Sequence, residues 1–126
     1  MTLVVDSSVV LAFLLGEPGG ERLAQEAGPL LLSTVNLTEV LTKVVERGGD
    51  PDLMASALRP LSIEPVEHRA EDAMRAARLR TTTRHLGLSL GDRACLALAQ
   101  RLAVPVLTAD HAWAELDVGI DIRLIR

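Results

Sequence analysis

At 126 residues the chain has room for one compact domain, expected to span 1–126, and at that length folding buries roughly two-thirds of the surface, enough for a core without covalent staples. Hydrophobic residues make up 48% but aromatics only 2%, Phe13 and Trp113, so the core must be built from Leu, Val, Ile and Ala, and little is left for stacking nucleic-acid bases. The net charge of −4 speaks against a general polyanion binder, the single Cys95 excludes an internal disulfide, and no apolar run approaches the roughly 20 residues that cross a bilayer.

In chain order, TLVVD (2–6) reads as a short buried strand, and SSVVLAFLL (7–15) as the helix that follows, capped by Asp6 or Ser7. EPGG ends that helix, ERLAQEAG (21–28) makes another short one, and LLLS (30–33) is a second strand. From Val35 the period changes. Leu37, Val40, Leu41, Val44 and Val45 form the stripe of an amphipathic helix, which Gly48-Gly49 stops. Asp50-Pro51 opens a further helix that reaches about Arg59, and SIEPV (62–66) is a third strand. HRAEDAMRAARLR (68–80) is strongly helical by propensity and is expected to fray or end in TTT (81–83). SLGDRACLALAQRLA (89–103) is a helix capped by Ser89, VPVLT (104–108) a clear strand, DHAWAEL (110–116) a short helix and IDIRLI (120–125) a terminal strand. Strands alternating with helices predict an α/β fold, a three-layer α/β/α sandwich with a mainly parallel central sheet.

The acids fall at informative places. Asp6 stands at the carboxyl end of the first strand, Asp110 just past the end of VPVLT, and Asp92 in the first turn of the helix after Ser89. Ligands of open α/β sheets bind beyond the carboxyl ends of the strands. Each acid also has an ordinary explanation: Asp6 and Asp110 as helix N-caps, Asp92 as the third residue of an S-x-x-D capping box. Glu39 points away from the apolar stripe, where its plain role is a solvated pair with Lys43 one turn on. Conjunction changes their meaning. Several carboxylates sharing one crevice must bind protons or a cation, and an all-oxygen site suits Mg²⁺ or Mn²⁺ and phosphoryl chemistry. No Cys or His cluster with zinc spacing is present.

VVDSSVVLAFLL at the start, NLTEVLTKV in the first third, LGLSLGDRACLALA in the last third and VLTADHAWAEL near the end, in that order, resemble the PIN-domain ribonucleases. The resemblance is closest to the VapC-type toxins of bacterial toxin–antitoxin pairs and spans nearly the whole chain. By that resemblance Asp6, Glu39, Asp92 and Asp110 match the family's four acids, which hold one or two Mg²⁺ or Mn²⁺ ions. Asp6 and Asp92 match its best-established metal ligands, and Ser8 and Thr108 match polar positions beside the acids. The resemblance implies endonucleolytic hydrolysis of RNA by metal-activated water, a cognate antitoxin that plugs the groove, and a homodimer.

Two other classes compete. A phospho-receiver domain needs an acidic pair after the first strand and a late lysine; here Ser7-Ser8 follow Asp6, and VLTAD carries none. A non-catalytic partner-binding module on the same fold is opposed by retention of all four acids. Arg80, Arg84, His85 and Arg93 are candidate phosphate contacts or, equally, a solvated helix face. Gly91 is a candidate for close approach of a backbone or phosphate, Cys95 reads as an inert buried thiol, Trp113 as a packing anchor and His111 as an exposed helix-start residue. The lone thiol and the absence of a charged leader point to a soluble cytoplasmic protein without a membrane segment.

Overall fold

In the computed structural model, which describes residues 1–126, the elements run β1 (Leu3–Val5), α1 (Ser7–Leu15), α2 (Arg22–Gln25), β2 (Leu30–Ser33), α3 (Thr34–Glu46), α4 (Pro51–Ala57), β3 (Ile63–Val66), α5 (Ala70–Thr83), α6 (Leu90–Leu102), β4 (Val106–Thr108) and β5 (Ile122–Leu124). The five strands form one sheet in the order β3-β2-β1-β4-β5. Every pairing is parallel, with Val4 opposite Leu31 and Val5 opposite Leu107. This is the expected α/β sandwich, with a sheet that is wholly parallel. No helix is long and apolar enough to cross a membrane.

Strand alternation divides the core between the two faces. Leu3 and Val5 join Val9, Leu30, Leu32 and Leu107 on one face, while Val4 joins Leu96, Val106 and Trp113 on the other. Buried on both faces, these strands read as continuous apolar runs, as parallel strands do. From β1 the chain steps outward through β2 to β3, then returns to the far side of β1 for β4 and β5. The strand order reverses between β1 and β4, and their carboxyl ends are where ligands of open α/β sheets bind.

Three local readings are refined. SIEPV does form a strand, and it takes the edge position, where Pro65 costs no ladder hydrogen bond. The threonine run does end α5, at its last residue: Thr83 is buried and donates its hydroxyl to the Leu79 carbonyl at 2.6 Å. In α3 the buried face is Asn36, Val40 and Val44, while Val45 is 56% exposed, so the stripe is rotated from the expected one and takes in a polar residue.

Candidate active site at the strand ends

Asp6 is 4% exposed and caps α1, its Oδ1 accepting from the Val9 N–H at 3.1 Å. That cap is only part of its environment. The Ser8 hydroxyl donates to Oδ1 at 2.6 Å and the Thr108 hydroxyl to Oδ2 at 2.5 Å. Both hydroxyls are themselves oriented from β4's end: the Ala109 N–H donates to Ser8 Oγ and the Asp110 N–H to Thr108 Oγ1, each at 3.1 Å. Each hydroxyl thus accepts from one backbone N–H and directs its proton to the carboxylate. Burial pushes the Asp6 carboxyl up to about 6, against the lowering effect of these hydrogen bonds, and the Asp92 charge adds to the rise.

Glu39 is not paired with Lys43. Its Oε1 accepts from the Ser7 hydroxyl at 3.0 Å and from Asn36 Nδ2 at 2.9 Å, which turns the side chain toward α1 and α6. Asn36 Nδ2 also donates to the Gly91 carbonyl at 2.9 Å. A Cβ at Gly91 would land on the Glu39 carboxylate, so any larger residue there would force that side chain to move. The group that comes close to Gly91 is the Glu39 side chain, not the backbone or phosphate expected from the sequence.

Asp92 forms the capping box read from the sequence: Ser89 Oγ accepts from the Asp92 N–H at 3.1 Å, and Asp92 Oδ2 from the Ser89 N–H at 2.9 Å. Asp110 caps the turn His111–Glu115, a 3-10 helix, through Oδ1 and the Ala112 N–H at 3.0 Å. Capping leaves each of these acids one oxygen, Asp92 Oδ1 and Asp110 Oδ2, that accepts nothing from the protein, and Glu39 Oε2 is likewise unbonded. Capping does not isolate these acids: Asp6 is coupled by charge to Asp92, and Asp92 to Asp110 and Glu39.

The four acids feel one another. Burial raises the Asp92 carboxyl, the Ser89 hydrogen bonds lower it, and the Asp110 and Glu39 charges push it up again. Beneath them Cys95 is fully buried, and burial, reinforced by the charges of Asp6, Asp92 and Glu39, holds its thiol well above the usual range. No three His, Cys, Asp or Glu side chains stand close enough to clasp one ion as they lie. The donor set nevertheless fits a hard divalent cation. It is all oxygen, it carries uncompensated mutual repulsion, and Mg²⁺ takes only one or two carboxylates, completing its shell with water and phosphate.

The remaining sequence candidates separate. Arg80, Arg84 and His85 are exposed. Arg93 is partly buried and donates through Nη1 to the Ala76 carbonyl at 2.9 Å, which ties α6 to α5 rather than leaving it for phosphate. Trp113 is fully buried and His111 is exposed, its Nε2 hydrogen-bonded to the Arg126 carbonyl. Sequence reasoning missed Asn36, and missed Ser7 as a donor to Glu39. The N-x-x-E spacing, which sets both side chains on one helix face, is the signal that points to Asn36.

A family model described as the PIN domain matches residues 3–119. Among curated proteins none matches the sequence. Among solved structures, the DNA-bound VapBC of Salmonella typhimurium superposes with a TM-score of 0.75 at 15% identity, covering 100% of this chain and 99% of that one. A toxin–antitoxin complex from Klebsiella pneumoniae gives 0.72 at 17% identity over 94% of each chain. VapC20 of Mycobacterium tuberculosis, a toxin that cleaves the sarcin–ricin loop, gives 0.71 at 18% identity, covering 94% of this chain and 98% of that one. At such identities the likeness is one of fold.

Proposed function

This chain belongs to the PIN domain family, and on that premise we propose that it is a metal-dependent endoribonuclease, the toxin of a toxin–antitoxin pair. The observation that carries the reading is Asp6. A carboxylate 4% exposed, held from two sides by hydroxyls at the switch between β1 and β4, lies within reach of the Asp92 charge. A charge so buried is stable only with a partner, and the protein supplies no cation to it.

Asp6 and Asp92 are the residues to hold a divalent ion, with Glu39 and Asp110 completing the set. Bound Mg²⁺ or Mn²⁺ supplies Lewis acidity, making water more acidic and offsetting phosphate charge. The two hydroxyl donors keep Asp6 fixed in one orientation, and its burial denies it to bulk water. Asp110 Oδ2 and Glu39 Oε2, free of protein donors, orient an attacking water and take its proton. Phosphate contacts fall to the exposed Arg80 and Arg84, since bases find no aromatic side chain to stack on. The structural relatives include toxin–antitoxin complexes, which supports an antitoxin as protein partner; homodimerisation and a cytoplasmic setting belong to the same reading.

Cleavage of RNA by the purified protein tests the proposal. Activity is expected to require Mg²⁺ or Mn²⁺, to vanish with chelator and to fall by orders of magnitude in Asp6→Asn and Asp92→Asn. Folded variants that cut RNA as fast as the parent would sink it.

A further inference from the structure

Asn36 is 1% exposed and sits on the α3 face that packs inward with Val40 and Val44. Its amide orientation is settled by its neighbours: both groups facing Nδ2, the Glu39 carboxylate and the Gly91 carbonyl, are acceptors, so the nitrogen must lie on that side. Oδ1 is then left buried with no partner, which costs stability. Fold stability does not account for such a residue, because an apolar side chain in that stripe would carry no orphaned oxygen.

The two N–H groups of Asn36 reach different helices. One holds Glu39 of α3; the other holds the carbonyl of Gly91, whose next residue in α6 is Asp92. The amide is therefore a strut that sets Glu39 at a defined distance from Asp92. Both donors to Glu39, Asn36 and Ser7, act on Oε1, so the carboxylate is clamped by one oxygen while Oε2 stays available. Gly91 removes the side chain that would obstruct the arrangement.

From this geometry we propose that Asn36 is a positioning residue, which clamps Glu39 against the start of α6 and thereby tunes divalent-cation binding at the acidic crevice. The inference rests on the metal-dependent reading given above. Partners of ligating carboxylates typically contribute roughly 10- to 100-fold to metal affinity, and Asn36 is expected to act in that range.

The test is calorimetric titration of Mn²⁺ into the full chain without RNA, for the parent, Asn36→Leu and Asn36→Ala, alongside thermal melts. Weakening of Mn²⁺ binding by roughly 10- to 100-fold in variants that melt cooperatively supports the proposal. In RNA cleavage the same variants should need more Mn²⁺ for half-maximal rate. Unchanged Mn²⁺ affinity in either folded variant overturns it, and so do variants that cannot fold, since a positioning role leaves the fold intact. A parent that binds no Mn²⁺ overturns the metal-dependent reading instead.

Discussion

Thr108 donates its hydroxyl to Asp6 Oδ2 across 2.5 Å, joining two residues that lie 102 positions apart in the chain. Because Thr108 is fully buried, Thr108→Val preserves shape and removes only the donor. Asp6 Oδ2 then lies buried without it, and the Asp110 N–H loses its acceptor. We expect a loss of roughly 1–3 kcal/mol in stability, measured by urea titration, and a metal affinity lowered roughly 10- to 100-fold. Thr108→Ser should recover most of both.

Gly91→Ala probes the approach of α6 to α3. Alanine is the better helix former, so an exposed helical glycine would gain about 1 kcal/mol from the change. Here the new methyl strikes the Glu39 carboxylate. Glu39 must swing away from Ser7 and Asn36, and displacements of about 1 Å at such sites can lower turnover on the order of 100-fold. RNA cleavage by Gly91→Ala at parental rate, with a melting temperature at or above the parent's, would show that Glu39's place is immaterial.

Asp6→Asn should stabilise the metal-free protein while disabling it. The Asp6 carboxyl is raised from 3.8 to about 6, chiefly by burial. A raised acid favours its neutral form when folded, so ionisation opposes folding: the penalty is absent below 3.8, grows between 3.8 and about 6, and is complete above. Asparagine removes the charge, giving a gain of about 3 kcal/mol at neutral pH, less the cost of one hydroxyl donor that the amide nitrogen no longer accepts. Thermal melts in chelator check this, and added Mn²⁺ should raise the melting temperature of the parent but not of the variant.

Away from the crevice, Arg101 forms an ion pair with Asp72, Nε to Oδ1 at 2.7 Å and Nη2 to Oδ2 at 3.1 Å, joining α6 to α5. Asp72 is 1% exposed. Burial pushes its carboxyl up, but the hydrogen bonds from Arg101 and the Arg69 N–H and the positive charges of Arg101 and His68 outweigh that and lower it below 3.8. With a depressed folded value, the stabilisation is fully present above 3.8 and is lost as pH falls below it. Arg101→Met strands the carboxylate and should cost about 3–5 kcal/mol at neutral pH, less in the double variant with Asp72→Asn. Acid titration of stability should show the parent losing this contribution and Arg101→Met losing less.

Much of this molecule was legible in the sequence because its signals are local. Apolar runs too short for helices gave the strands, and the shift to a stripe after Val35 gave α3. Asp6, Ser89 with Asp92 and Asp110 were readable as caps, and each is one. For Asp6 and Asp110 the placement follows from the chain order, in which a helix begins directly where β1 and β4 finish; α6, which carries Asp92, follows α5 instead. Asn36 was not legible as part of the site. Its position in the stripe gives no hint that a glycine carbonyl 55 residues later lies within hydrogen-bond reach.

Chain chemistry alone determined the alternation of strand and helix, the largely aliphatic core with Trp113 in it, and the placing of Asp6, Asp92 and Asp110 at element ends, since these depend on side-chain polarity over a few residues. Only tertiary structure decided which oxygen of each acid is spent and which is left, that Glu39 turns from Lys43 to Ser7 and Asn36, and that Arg93 and Arg101 serve packing between helices. Those outcomes depend on the strand order. Placing β4 beside β1 closes a loop of about a hundred residues, and the energy that repays its closure comes from a core assembled across the whole sheet, not from any stretch of sequence within it.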